Sequence, residues 1–461
     1  MRYSLPYNLI DSLENVKGFD KTSFEAIHES EERITSIRIN PAKIDDASVL
    51  GYQTNEIPWC KQGYYLNERP FFTFNPLIHA GAFYVQEASS MFLWHILENI
   101  GINSSAKVLD LCAAPGGKST LLSSYYKNGV LVCNEVIQSR AAILVENIVK
   151  WGNDNTIVTN NDPRQFADCK ELFDVIVLDA PCSGSGMFRK DNGAIAEWSA
   201  ESVVHCSLRQ QRILLDILPC LKKNGIVIYS TCSYSREEDE DNADYIVYNF
   251  PSLHTIQIPI KEEWGIVETV SEKHNAYGYR FFPDKVKGEG FYVAVFKNTD
   301  DFGSSFDYTI KADKKAEVTK SELEVINNFI SLPIDYQYIK NREYILGLPP
   351  ENINFIKLIL GKLYIKRVGI ELGIIKGKDF IPSHHLAMSN LIKDYTTFIS
   401  VDEEMALNFQ RKNEITISAS KGWNLVKHKN ISLGWIKGLP NRNNNYYPSE
   451  WRILKSALPI N

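Results

Sequence analysis

The sequence has no Cys-x-x-Cys pair and no apolar run that approaches the length of a membrane span. Its eight cysteines (Cys60, Cys112, Cys133, Cys169, Cys182, Cys206, Cys220 and Cys232) are dispersed, which excludes zinc ribbons and dithiol redox sites. A chain of 461 residues needs no disulfide staples, so most of these cysteines are expected as small buried hydrophobes in a reducing compartment. The longest apolar stretch, Phe291 to Phe296, is only strand-sized. The opening Met1-Arg-Tyr-Ser-Leu-Pro-Tyr soon meets Asp11 and Glu14, unlike a secretory signal, and a cytoplasmic location is expected. Internal repeats and low-complexity tracts are absent. An overall basic excess is also missing: the net charge is -6, which argues against a nucleic-acid partner unless positive charge is local. It is local. From Met405 to Asn461, nine Lys or Arg face only Glu414 and Glu450, a balance of +7, while acidity gathers elsewhere, notably from Glu237 to Asp244.

What is present reads as an ordinary globular chain with room for two or three cores. Residues 1 to 95 form a mixed helical and extended lead-in, with strand-like alternation at Ile34-Thr-Ser-Ile-Arg-Ile-Asn-Pro. Within 96 to 297 the pattern becomes strand, glycine turn, helix, strand. Strands are expected at Lys107–Leu111, Gly129–Glu135, Thr156–Thr159, Phe173–Asp179 and Gly225–Ser230, and helices at Lys118–Tyr126, Gln138–Trp151 and Leu208–Leu221. Apolar strands alternating with helices predict an α/β fold, a doubly wound, mostly parallel sheet covered on both faces. Residues 298 to 320, rich in Asp, Ser and Lys, read as a linker. An α/β extension is expected over 321 to 398, and a small strand-rich unit over 399 to 461.

The loop Cys112-Ala-Ala-Pro-Gly-Gly-Lys118 joins a strand to a helix, where glycine permits close backbone approach and the helix offers free N–H groups. Glu135 closes the next strand, near the spacing at which a carboxylate binds ribose hydroxyls. Asp162 follows the third strand and is within reach of an adenine edge, or serves as a helix cap. Asp179 ends the fourth. The Gly-x-Gly-x-x-Gly and Walker spacings are both missing, which disfavours dinucleotides and ATP. S-adenosylmethionine, with ribose and adenine but no phosphate, fits better.

Cys182 follows the fourth strand directly, in Asp179-Ala-Pro-Cys-Ser-Gly, and Cys232 follows the fifth, in Ser230-Thr-Cys-Ser. A lone cysteine is usually structural, but two at successive strand ends beside a nucleotide site point to chemistry. Cytosine C5 is a poor nucleophile until a thiolate adds at C6. One thiol forms that adduct and a second group helps resolve it. Asp179 suits the cytosine N3/N4 edge, and Lys118 is placed to lower a thiol's pKa or simply to lie solvated in the first helical turn. The residues alone do not choose between the two cysteines.

Taken together, residues 112–118, Asn134-Glu135, Asp162, Asp179 to Gly184 and Ser230 to Ser233 closely resemble the RNA cytosine-C5 methyltransferases of the RsmB/RsmF/NSUN family. Tyr84-Val-Gln-Glu-Ala-Ser-Ser-Met91 looks like the family's lead-in, and Arg189-Lys-Asp with Trp198 like its substrate-side loop. The resemblance covers about 80 to 297 and implies a Rossmann-like class I methyltransferase fold. It assigns S-adenosylmethionine, without a metal, to Cys112, Ala113, Ala114, Pro115, Gly116, Gly117, Lys118, Glu135, Asp162 and Asp179. It makes Cys232 the nucleophile and Cys182 the assistant in proton removal or product release, with Asp179 and Lys118 completing the catalytic set. The flanks resemble the RsmF branch, which modifies small-subunit (16S) ribosomal RNA. Ser36-Ile-Arg-Ile-Asn-Pro matches its N-terminal element. Pro382-Ser-His-His-Leu-Ala-Met with Leu433-Gly-Trp-Ile-Lys, Asn441-Arg and Asn445-Tyr-Tyr-Pro looks like its C-terminal extension, which implies a PUA-like RNA-binding domain over 399 to 461. The +7 patch, interleaved with Trp423, Trp435, Tyr446 and Tyr447, fits phosphate contacts and base stacking, or a small β core with a solvated basic rim. A transfer-RNA methyltransferase and a non-catalytic ribosomal-RNA assembly factor are the competing readings. A monomer is expected, with no membrane partner.

Overall fold

The computed structural model describes residues 4–300, 317–350, 353–392, 395–415 and 417–455. Most of the expected linker, 301–316, and the last residues of the basic tail lie outside the described residues. Two helices, Tyr7–Leu13 and Lys21–Glu29, precede an antiparallel sheet of β1 (Thr35–Ile39), β2 (Thr54–Ile57), β3 (Cys60–Leu66) and β4 (Phe83–Val85), in the order β2-β3-β1-β4. Side chains alternate across a strand. In β1, Ile37 and Ile39 enter a core shared with Leu77 and Phe83. Ser36 and Arg38 are just as buried, on the side that meets the rest of the protein.

The central sheet contains β5 (Lys107–Asp110), β6 (Val130–Asn134), β7 (Thr156–Thr159), β8 (Phe173–Asp179) and β9 (Leu221–Thr231). All four of its internal pairings are parallel, in the order β7-β6-β5-β8-β9. Alternate residues feed two separate cores: Val108, Val175, Val177, Ile226 and Ile228 enter one, and Leu109, Ile176, Leu178, Val227 and Tyr229 the other. Burial on both faces is why these strands read as continuous apolar runs. The chain winds outward from β5 through β6 to β7, then returns to β8 on the other side of β5. That reversal opens a crevice outside the carboxyl ends of β5 and β8, the position where open α/β sheets bind ligands. Beyond β9 the sheet turns antiparallel through β10 (Leu253–Thr255), β11 (Val267–Val270), β12 (Tyr277–Phe281) and β13 (Phe291–Asn298), with β13 against β9. The expected α/β class holds.

Two elements differ from the sequence expectation. The helix placed at Leu208–Leu221 runs from Ala200 to Ile217, started by a Ser199–Ser202 capping box and followed by a short turn containing Pro219. Its early turns were hidden because Val204 and Leu208 are exposed, which blurs the amphipathic pattern. In the segment after 321, β14 (Gln337–Asn341), β15 (Tyr344–Leu348), β17 (Ile370–Lys376) and β18 (Asp379–Pro382) form their own antiparallel sheet. The intervening β16 (Ile365–Val368) instead pairs with β7 and covers the edge of the central sheet. The last sheet holds β19 (Phe398–Ser400), β20 (Gly422–His428), β21 (Ile431–Leu439) and β22 (Arg442–Asn445). Within it, Trp435 and Tyr447 are core residues, sealed at 1% exposure each, and are not available for stacking on bases. Trp423 and Tyr446 pair at 4.5 Å nearer the surface, with the Lys437 ammonium 5.2 Å from the Trp423 ring. Among the described residues, no helix is long and apolar enough to cross a membrane.

At the end of β5, Asp110 is fully buried and accepts one hydrogen bond, 2.6 Å from Ser119 Oγ, while its Oδ1 lacks a partner. Burial raises its pKa from the ordinary 3.8 to about 7. Between those values the native carboxyl is protonated and the unfolded one ionised, so its contribution to stability is whole below pH 3.8 and fades as pH rises to about 7. Urea unfolding of wild type and Asp110→Asn at pH 5 and pH 8 should show wild type losing about 3 kcal/mol relative to the variant. Parallel pH dependences would count against this protonation state.

Candidate active site

A cleft of about 440 Å³ opens at the carboxyl ends of β5, β8 and β9. Its walls come from the cofactor-type loop (Cys112 to Pro115, Gly117, Lys118), from Asp179 and Cys232, from Tyr84 to Glu87 of the lead-in, and from Glu289 to Phe291. Of the residues singled out in the sequence, Gly116, Glu135, Asp162 and Cys182 do not line it.

The loop is held by its carbonyls. Arg140 Nη2 donates to Ala114 O at 2.8 Å and Asn147 Nδ2 to Pro115 O at 2.8 Å, both from the helix Gln138–Trp151. From the opposite side, Arg38 Nη2 donates to Gly117 O at 3.1 Å and to Thr120 Oγ1 at 2.6 Å. Gly116 sits at φ +117°, a conformation side chains rarely adopt, and caps the helix Gly117–Tyr125. This arrangement leaves the first-turn N–H groups at the cleft.

Lys118 is nearly buried, and its ammonium lies 2.8 Å from Asp179 Oδ2 and 5.2 Å from the Phe291 ring. Burial pulls its pKa down, but Asp179 and its hydrogen bond outweigh that and hold it above the ordinary lysine value. The solvated alternative for Lys118 is thereby excluded. Asp179 Oδ1 accepts from Ser230 Oγ at 2.8 Å, which locks the carboxylate between the two strands.

Cys182 Sγ lies 3.1 Å from Cys232 Sγ. The Cys182 thiol is pushed well above its ordinary range, first by that contact and then by burial, with the charges of Cys232 and Glu238 adding. The loops carrying the two sulfurs touch directly: Gly186 N donates to Cys232 O at 2.9 Å. A Cβ at Gly186 would stand 2.5 Å from Gly290 O, so only glycine fits there. No disulfide forms among the eight cysteines, of which Cys60, Cys133, Cys169 and Cys220 are buried as expected.

Glu135 ends just beyond β6, with Oε1 accepting from Ile137 N at 2.9 Å and Oε2 3.6 Å from Arg140. Asp162 is a helix cap: Oδ1 accepts from the Arg164 backbone and side chain, both at 3.1 Å. Sequence reasoning missed the buried Asp110 and Glu238; nothing in their local pattern sets them apart from solvated acids. No group of three or more His, Cys, Asp or Glu among the described residues is arranged to hold a metal.

S-adenosylmethionine suits this cleft. The Lys118 charge is already neutralised by Asp179, so the helix N-terminus is not dressed for phosphate. Beside it, the loop offers short side chains and backbone groups to a ribose-sized ligand.

Comparison with known proteins agrees. The family model for 16S rRNA methyltransferase RsmB/F matches residues 100–297, that for the N-terminal domain of RsmF matches 5–88, and that for the RsmF PUA domain matches 396–453. Ribosomal RNA small subunit methyltransferase F of Vibrio vulnificus is 31% identical over 437 residues, 90% of each chain. The Shewanella piezotolerans protein of the same name is 29% identical over 443 residues, again 90% of each. Among solved structures, a methyltransferase homolog from Pyrococcus horikoshii covers 64% of this chain and 100% of its own, at 27% identity and a TM-score of 0.51. NSun6 from the same organism, solved with SFG, covers 65% of this chain and 99% of its own, at 17% identity and a TM-score of 0.54. The extent of the match to the curated relatives settles the family: the chain belongs to the RsmF family of S-adenosylmethionine-dependent RNA methyltransferases.

Proposed function

We propose that this enzyme methylates C5 of a cytosine in small-subunit (16S) ribosomal RNA, with Cys232 as nucleophile. One observation carries the reading: Cys232 lines the cleft that the cofactor-type loop also lines, beside the Lys118–Asp179 ion pair, with the Cys182 sulfur 3.1 Å behind its own. S-adenosylmethionine supplies an electrophilic methyl group when bound. The loop 112–118 would hold it, with Glu135, at the end of β6, toward the ribose hydroxyls and Asp162 toward the adenine edge.

Asp179 holds the N3/N4 edge of the cytosine, and Lys118 lends positive charge to the thiolate of Cys232. Addition of that thiolate to C6 breaks the C5–C6 double bond and makes C5 nucleophilic toward the methyl group. The C5 proton and the Cys232 sulfur must then both leave as the double bond re-forms. Cys182, at 3.1 Å from that sulfur, is placed to hand its proton to the departing Cys232 and to take up the C5 proton in its turn. The basic, partly aromatic surface of the last sheet suits RNA phosphates, with Lys437, Trp423 and Tyr446 as one contact point.

Methyl transfer to ribosomal RNA should fall at least about 10³-fold in Cys232→Ala. Cys182→Ala should accumulate a covalent protein–RNA adduct, read as a band that resists denaturing electrophoresis. Full activity in Cys232→Ala would remove the nucleophile assignment. A Cys182→Ala enzyme that turns over without adduct would remove the release role. Lys118→Met should lower kcat by about 10²-fold at unchanged RNA binding, measured by filter retention.

A further inference from the structure

Glu238 is fully buried and does not line the cleft, yet it touches both cysteine-bearing loops. Its Oε1 accepts from Ser183 N at 2.9 Å and from Gln210 Nε2 at 3.1 Å. Its Oε2 accepts from Ser183 Oγ at 2.5 Å and from Ser233 Oγ at 2.7 Å. Ser183 follows Cys182 and Ser233 follows Cys232. The backbone of Glu238 is pinned as well, since its carbonyl accepts from Tyr229 Oη at 2.6 Å, from within β9.

We propose that Glu238 is a positioning residue for methyl transfer, a single carboxylate that ties the two loops together and sets both the spacing and the division of labour of the two thiols. This rests on the functional reading above. Burial pushes the Glu238 carboxyl above its ordinary value, the hydrogen bonds from Ser183, Ser233 and Gln210 pull it back, and once ionised its charge acts at short range in a poorly solvated site. That charge falls on Cys182, where it adds to the Cys232 contact and to burial in pushing the thiol up, so the proton stays on Cys182. The carboxylate acts through its neighbours and touches neither RNA nor cofactor.

The test alkylates the full chain with iodoacetamide across a pH series, without RNA or cofactor, and reads Cys182 and Cys232 separately by peptide mass spectrometry. Wild type should label Cys232 first. Glu238→Gln replaces an acceptor by a donor and removes the charge, so the preference should fall about tenfold and Cys182 should react at lower pH. In turnover, kcat should fall at least about tenfold while KM for S-adenosylmethionine stays within about twofold. Wild-type labelling and kcat in Glu238→Gln would overturn the proposal. Should that variant fail to fold, Ser183→Ala/Ser233→Ala keeps the charge but cuts both hydroxyl ties. It should lower kcat and spread the labelling, and wild-type behaviour there would overturn the proposal equally. A wild-type enzyme inert on RNA, with the labelling shift intact, would sink the functional reading and leave the Glu238 role standing.

Discussion

Asp179 lies opposite Ser230 in the parallel pairing of β8 with β9. From that register Cys182 is three residues on along one chain and Cys232 two along the other, and the two sulfurs meet. Successive residues in a strand stand about 3.3 Å apart and on opposite faces. A slip by one residue would carry one sulfur away from the other and turn its strand's core side chains to the wrong face. Ile176, Val227, Val177 and Ile228 enter two different cores on the two sides of the sheet, so hydrophobic packing fixes the register and the register fixes the chemistry. The Ser230 hydroxyl then uses the same pairing to hold Asp179 at 2.8 Å.

Charge in the cleft is arranged around a shortage of solvent. Lys118 is the buried cation, and Asp179 and Asp110 compete for its field. Asp179 takes the direct contact. Asp110 has its pKa raised by burial to about 7, so it keeps a share of its proton near neutrality and adds less than a full negative charge beside the Lys118–Asp179 pair. Opposite charges thus stand near the two thiols, with Lys118 in the field of Cys232 and Glu238 in that of Cys182. Two chemically identical groups are made inequivalent by such asymmetry, not by their own identity.

The catalytic framework was legible because buried parallel strands are apolar on both faces and their glycine turns are short. β7, β8 and the helix Gln138–Trp151 fall at the expected residues. The cleft residues from Cys112 to Lys118, with Asp179 and Cys232, were legible for the same reason: each sits directly at a strand end. What stayed hidden depends on burial of polar groups, which no pattern reports. The run Glu237 to Asp244 registered only as acidity, yet Glu238, Asp239, Glu240 and Asp244 are all buried, and Arg280 lies within 3.1 Å of Asp239. β16 was hidden because Ile365-Lys-Arg-Val is too polar to announce an edge strand. Its Arg367 is buried and reaches Thr156 Oγ1 of β7. Trp435 and Tyr447 show the converse: aromatic residues beside basic ones suggested a binding face, and the fold used them as core.

The lead-in is no mere appendage to this framework. Arg38 is 1% exposed and burial lowers its pKa to about 10, which leaves it charged at neutral pH. The guanidinium is satisfied by neutral acceptors: Gln86 Oε1 at 2.9 Å, Thr120 Oγ1 and the Gly117 carbonyl, with the Trp151 ring 4.6 Å below. Burying a cation this way is expensive unless the partners are rigidly placed. They come from the lead-in, from the cofactor-type loop and from the end of the helix that holds that loop by Arg140 and Asn147. The expense therefore ties the first turn of the helix Gly117–Tyr125 to the N-terminal sheet that carries Arg38. Tyr84 to Glu87 of the same lead-in wall the cleft, so the segment that completes the substrate entrance also sets the loop beneath it.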